Sequence, residues 1–158
     1  MHKKILLVTS FMLLVIAIIV AIYYLVPKNI DNFDNVNGDN MLNEFNVNIL
    51  INGNNYTAIF EDNITTRELI SILPFEINMN ELNGNEKYYY FSTNFQVEPK
   101  RFNKINAGDI MMFGNNCLVI FYESFNTSYS YTRIGHISNT QNLKEDLGTG
   151  SVIVKFSN

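Results

Sequence analysis

Apolar and polar positions divide this chain into two unlike parts. From Ile5 to Val26 the residues are almost all apolar and none is charged. As a helix rising 1.5 Å per residue, that stretch is about 33 Å long, which matches a bilayer hydrocarbon core of roughly 30 Å. Tyr23 and Tyr24 lie at its distal end, where amphipathic rings favour the headgroup layer, and Pro27 ends it because its ring clashes with the preceding turn. Residues 27–44 sustain no period. They are rich in Asp, Asn and Gly and read as a flexible tether.

From Phe45 the period becomes two. Phe45, Val47, Ile49 and Ile51 alternate with Asn46, Asn48 and Leu50, the signature of a half-buried strand. Asn52-Gly53, a dipeptide suited to the positive φ angles of a tight hairpin, leads into Tyr56, Ala58 and Phe60, which continue the alternation. A helix of about two turns is expected next, with Thr65 and Glu68 at capping-box spacing, Leu69, Ile70, Ile72 and Leu73 as its apolar face, and Pro74 as its stop. Further strands are expected over 75–82, 87–91, 109–113, 117–122, 129–137 and 152–156, with turn residues between several of them. A helical turn around 143–147 ends at Gly148, and the stretch 92–107 reads as a loop. Many short strands and one or two short helices imply a mainly β domain over 45–158, a small closed antiparallel barrel.

The apolar stretch has three possible fates. A cleaved signal peptide needs a shorter run and small residues before the cut, whereas Ile19-Val20-Ala21 has a bulky residue at −3 and lies inside the run. A lipoprotein needs a cysteine just after the run, and none is there. An uncleaved anchor needs only length and flanks. The expectation is therefore a single-pass membrane protein, with residues 1–4 cytoplasmic, 5–26 in the bilayer, and the domain outside the cell. Lys3 and Lys4 precede the run, while Asp31, Asp34 and Asp39 follow it.

Charge narrows the functional classes. The chain of 158 residues carries 11 basic and 15 acidic residues. Three of the basic ones, Lys3, Lys4 and Lys28, flank the anchor, so the remainder is markedly acidic and Asn-rich. Such a surface repels phosphate backbones, and nucleic acid is not an expected partner. The only cysteine, Cys117, excludes an internal disulfide, and with just His2 and His136 as histidines no metal site or cofactor is expected. Cys117 begins an apolar strand and reads as core rather than as a nucleophile, which would need a base and an electropositive setting. His136 reads as a strand residue at a rim. There is no P-loop, no G-x-G-x-x-G and no G-x-S-x-G.

What remains is a concentration of rings: Tyr88, Tyr89, Tyr90 and Phe91, then Phe121, Tyr122 and Phe125, then Tyr129 and Tyr131. Alternation sends about half of them into a core, and the others are free to form a binding face, for which tyrosine suits by combining apolar area with a hydroxyl. Arg133 lies among rings and small residues. It reads either as half of an ion pair, with Glu81 or Glu123 as partner, or as a ligand contact.

Two segments resemble bacterial cyclophilin-like domains. Residues Glu81-Leu82-Asn83-Gly84-Asn85-Glu86-Lys87-Tyr88-Tyr89-Tyr90 are similar to that family's E-L-N-G-x-E-K-Y-x-Y segment. The run from Ala107-Gly108-Asp109 through Gly114-Asn115-Asn116-Cys117-Leu118-Val119-Ile120-Phe121-Tyr122 to Ser128-Tyr129-Ser130-Tyr131-Thr132-Arg133-Ile134-Gly135 is similar to its G-D-(apolar)-G-x-x-C-L-x-x-F-Y…S-Y-T-R-I-G core. The resemblance implies a barrel of cyclophilin-like type over about Phe45 to Phe156. Cyclophilins isomerise prolyl bonds with the help of an arginine in an F-H-R strand. The comparable strand here, Lys87 to Phe91, has no arginine or histidine, and the chain has no tryptophan. The expected function is thus a module that binds a peptide or small molecule through Glu81, Tyr88, Tyr90, Phe121, Tyr129, Tyr131 and Arg133. The alternative is a weak or atypical prolyl isomerase that uses Arg133 or Arg101.

The anchor reading makes a direct prediction. The chain expressed in a bacterium will remain with the membrane pellet after washing with high salt, and protease added to intact cells will remove the domain. Recovery of the protein from the medium, trimmed near Ala21, would overturn it.

Overall fold

The computed structural model describes residues 44–158; the anchor expected over 5–26 and nearly all of the tether lie outside the described residues. Among the described residues no helix is long and apolar enough to cross a membrane. The elements run β1 (Glu44–Ile51), β2 (Asn54–Glu61), α1 (Ile64–Ser71), β3 (Phe75–Leu82), β4 (Glu86–Tyr90), β5 (Lys100–Arg101) and β6 (Lys104–Ile105). They continue with β7 (Asp109–Phe113), β8 (Cys117–Phe121), β9 (Phe125–Asn126), β10 (Ser130–Ile137), α2 (Leu143–Leu147) and β11 (Val152–Ser157). The expected closed barrel is present: β2-β1-β11-β3-β4-β8-β7-β10 form an antiparallel sheet that closes where β10 pairs with β2.

Alternation decides what fills it. Val47, Ile49 and Ile51 of β1, Ala58 and Phe60 of β2, Ile77 and Met79 of β3, and Ile110 and Met112 of β7 all point inward. Leu118 and Ile120 of β8 and Val154 and Phe156 of β11 complete one buried cluster with them. Each is under a tenth exposed, and most are fully buried. At about 25 cal/mol per Å² of apolar surface removed from water, these side chains supply the main driving force for closure. The opening hairpin turns at Asn52 and Gly53, with φ angles of 48° and 84°, as the Asn-Gly pair requires.

α1 differs from expectation at its start. Its N-cap is Asn63, not Thr65, and the Asn63 side chain accepts a hydrogen bond from the Thr66 amide at 2.9 Å. Thr65 is inside the first turn, where its hydroxyl donates to the Gln96 carbonyl, and Glu68 accepts from the Gln96 amide and side chain. The helix thus holds the long 92–107 stretch instead of capping itself. That stretch is not wholly loop either. It contains β5, which pairs with β10, and β6, which pairs with β9.

Closure has a steric condition. At Gly135, opposite Phe60, a Cβ would overlap the Ile59 carbonyl oxygen and lie 2.7 Å from the Phe60 Cα. The β10–β7 register also shifts between Arg133 and Gly135, so the strand bends where it meets β2. Replacing Gly135 with alanine will cost about 3 kcal/mol or more of unfolding free energy in urea, because backbone and not a movable side chain occupies the space. A Gly135→Ala variant with unchanged stability would show that the seam can open without penalty.

Candidate functional site

The sheet has a second apolar face, on the outside. On β8, Cys117, Val119 and Phe121 point away from the barrel interior, as do Met111 on β7 and Tyr131 on β10. They are buried because Ile105 and Phe125, paired across β6 and β9, pack over them together with Phe102. The cover is incomplete. Where it ends, beside β4, a cavity of about 360 Å³ remains.

Tyr88, Tyr90, Tyr129 and Tyr131 all line this cavity, with Phe113, Cys117, Val119, Phe125 and the turn residues Leu82, Asn83 and Asn85. The rings brace one another edge to face. Tyr88 and Tyr90 are 5.8 Å apart at 76°, and Phe113 lies 6.1 Å from Tyr129 at 86° and 5.6 Å from Tyr131. Phe121 is absent from the lining. It is fully buried behind Tyr131 and Phe125, with ring centroids 5.6 Å from each, and supports the wall from within.

Glu86 also lines the cavity, and sequence reasoning missed it. It shares the outward face of β4 with Tyr88 and Tyr90, two and four residues on, so the alternation already carried the signal. Burial, reinforced by the charge of Glu81, pushes its carboxyl up to about 7. Cys117 is pushed up to about 11, chiefly by burial, and is a neutral thiol at the cavity floor. The adjacent Cys117 sulfur raises the Tyr90 hydroxyl, and burial raises that of Tyr131.

Glu81 and Arg133 belong elsewhere. Glu81 faces the barrel interior opposite Lys87, which is fully buried and donates to the Glu81 carboxylate and to the carbonyls of Gly148 and Gly150, at 2.9 and 2.6 Å. The Tyr122 hydroxyl donates to Glu81 at 2.6 Å and the Gly84 amide at 3.0 Å. Burial opposes ionisation of Glu81, but the hydrogen bonds from Lys87 and Tyr122 outweigh it and hold the carboxyl below its ordinary range. All of this is structural work: a buried cation given three acceptors.

Arg133 forms ion pairs, with partners other than the Glu81 or Glu123 expected. Its guanidinium lies 2.8 Å from Asp109, which is almost wholly buried, and 3.0 Å from Glu61. Glu123 instead pairs with Lys144. Arg133 lines a separate hollow of about 410 Å³ with Glu61, Asp62, Glu98 and Lys100. No cluster of residues able to hold a metal ion is found among the described residues.

The sequence model described as the cyclophilin-like family matches residues 49–157, nearly the whole described domain. The chain belongs to that family. No curated protein matches the chain.

Because the Glu86 carboxyl titrates near 7 when folded against an ordinary value of 4.5, folding is opposed as pH rises through that interval. Below 4.5 the group is protonated in both states and contributes nothing. A Glu86→Gln variant will therefore gain stability over the parent as pH rises from about 4.5 to about 7. The plateau gain will be on the order of 1 kcal/mol, allowing for the water that reaches a half-buried carboxylate. Urea melts at pH 4.5, 6 and 8 will read this, and a pH-independent difference would refute it.

Proposed function

We propose that this member of the cyclophilin-like family is a membrane-tethered, extracytoplasmic binding module whose tyrosine cavity takes a peptide or small ligand, without prolyl isomerase activity. The observation that carries the reading is one cavity lined by Tyr88, Tyr90, Tyr129 and Tyr131, with no arginine in its lining among the described residues. A binding face needs apolar area with polar tips, and four phenol rings provide both. A prolyl isomerase must lower a barrier of about 18–20 kcal/mol by stabilising the twisting amide electrostatically. Arg133 is committed to Asp109 and Glu61, and Arg101 is on β5 outside the cavity lining. A fold shared with an enzyme does not carry over the reaction.

The membrane tether rests on the apolar run at 5–26, and the extracytoplasmic side on the lysines before it. In that setting the domain is a receptor held a short way off the bilayer.

A panel of short peptides titrated into the full chain by calorimetry will yield binders, and Tyr88→Ala or Tyr129→Ala will weaken them by about 1–2 kcal/mol, on the order of tenfold in Kd. In a prolyl isomerisation assay micromolar protein will give no rate enhancement. Enhancement abolished by Arg101→Ala or Arg133→Ala would instead establish the enzyme.

A further inference from the structure

The tyrosine cavity has a polarity as well as a shape. Four of the eight large apolar side chains left exposed among the described residues, Leu82 (43%), Tyr90 (57%), Phe113 (40%) and Tyr129 (63%), border it. A monomeric domain seldom leaves such a cluster uncovered unless something binds there. An apolar ligand alone would need nothing more. Yet the lining also contains Glu86, and among the described residues no lysine or arginine lines the cavity with it. Aromatic faces carry negative charge density and attract cations, more strongly when water is excluded. Ring faces and a carboxylate complement the same chemical group.

Resting on the reading of this cavity as the ligand site, we propose that its ligand carries an organic ammonium group, a primary amine or a lysine side chain. The ammonium sits against the rings of Tyr88, Tyr90 and Tyr129 and is paired with the carboxylate of Glu86. The source is either a free amine or a lysine in a peptide, and the chemistry recognised is the same.

The pH dependence follows from the groups around Glu86. Glu81 is across β3 and is held ionised by Lys87 and Tyr122. Tyr88 and Tyr90 flank it on β4, Cys117 lies on β8, Tyr122 just beyond it, and Tyr131 on β10. Cys117 at about 11 and the raised hydroxyls of Tyr90, Tyr122 and Tyr131 stay neutral below pH 8. An alkylammonium, with a pKa of about 10.4, stays charged throughout. Glu86 is thus the facing group that changes between pH 5.5 and 8. The ligand favours its ionised form, so affinity rises through pH 7 and levels off above it.

The test uses the full chain in nanodiscs with isotope-labelled tyrosine rings followed by NMR. The probes are butylammonium against 1-butanol, and acetyl-Ala-Lys-Ala-amide against its norleucine counterpart. The charged member of a pair will shift the Tyr88, Tyr90 and Tyr129 rings at roughly tenfold lower concentration than the neutral one. Its affinity will rise by about tenfold from pH 5.5 to 8, and Glu86→Gln will abolish that rise and reduce, without abolishing, the preference for the charged probe. A response to butylammonium identifies a free amine as sufficient, and a response to the lysine peptide alone identifies a peptide source. Equal responses to charged and neutral probes would overturn the ammonium inference while leaving the cavity a ligand site. Rings unmoved by any probe would also overturn it, and the peptide panel would then decide the binding reading separately.

Discussion

The fold depends on a single place where two backbones come closer than any side chain allows. β10 must accept β2 on one side and β7 on the other, and it does so at Gly135, where Ile59 and Phe60 occupy the space of a Cβ. Once that seam is made, its consequences spread along the strand. The bend between Arg133 and Gly135 leaves the Arg133 guanidinium among Glu61 and Asp109, and the Arg133 carbonyl accepts from the Asn63 side chain that caps α1. The Ile134 carbonyl takes the Thr66 hydroxyl. Two residues before the bend, Tyr131 reaches the outer cavity. Closure, helix and cavity wall are therefore set by one short segment.

The sheet is covered on both faces over only part of its extent. Inside, the apolar cluster is continuous, and the fully buried Lys87 is provided with Glu81 and two carbonyls because a lone buried ammonium would be far too costly. Outside, β6, β9 and Phe102 shield the middle of β7 and β8 and stop short of β4. The cavity is the unshielded remainder, and it exists because the cover is short. Its rings are held by contacts with one another and by the buried Phe121 behind them, which keeps them apart without filling the space.

How much of this was legible depended on whether the cause was local. Alternation at Phe45–Ile51 and the Asn52-Gly53 turn read directly, as did 143–147 before Gly148, because each is decided within a few residues. The helix start was misplaced by two positions. Asn63, Thr65 and Thr66 are all chemically able to cap, and the choice was made by distant partners, Arg133 and Gln96. β5, β6 and β9 have two residues each and no pattern of their own; only the strand opposite creates them. The gathering of Tyr88, Tyr90, Tyr129 and Tyr131 could be guessed from alternation, whereas the burial of Phe121 under the β6–β9 pair could not. Glu86 was readable from the same alternation. The partners of Arg133 come from β2 and β7 and leave no trace in nearby sequence.

The position of β11 sets the order in which the molecule can come into being. It lies between β1 and β3, joined to residues about a hundred positions earlier on one side and some seventy earlier on the other. A nascent domain that lacks it has two unpaired edges facing each other across a gap, with half-formed apolar walls open to water. Nothing native can be completed while the ribosome still holds those final strand residues. Partial products should therefore be sticky, and the whole domain must emerge before long-range pairing, inherently slow, can finish the job.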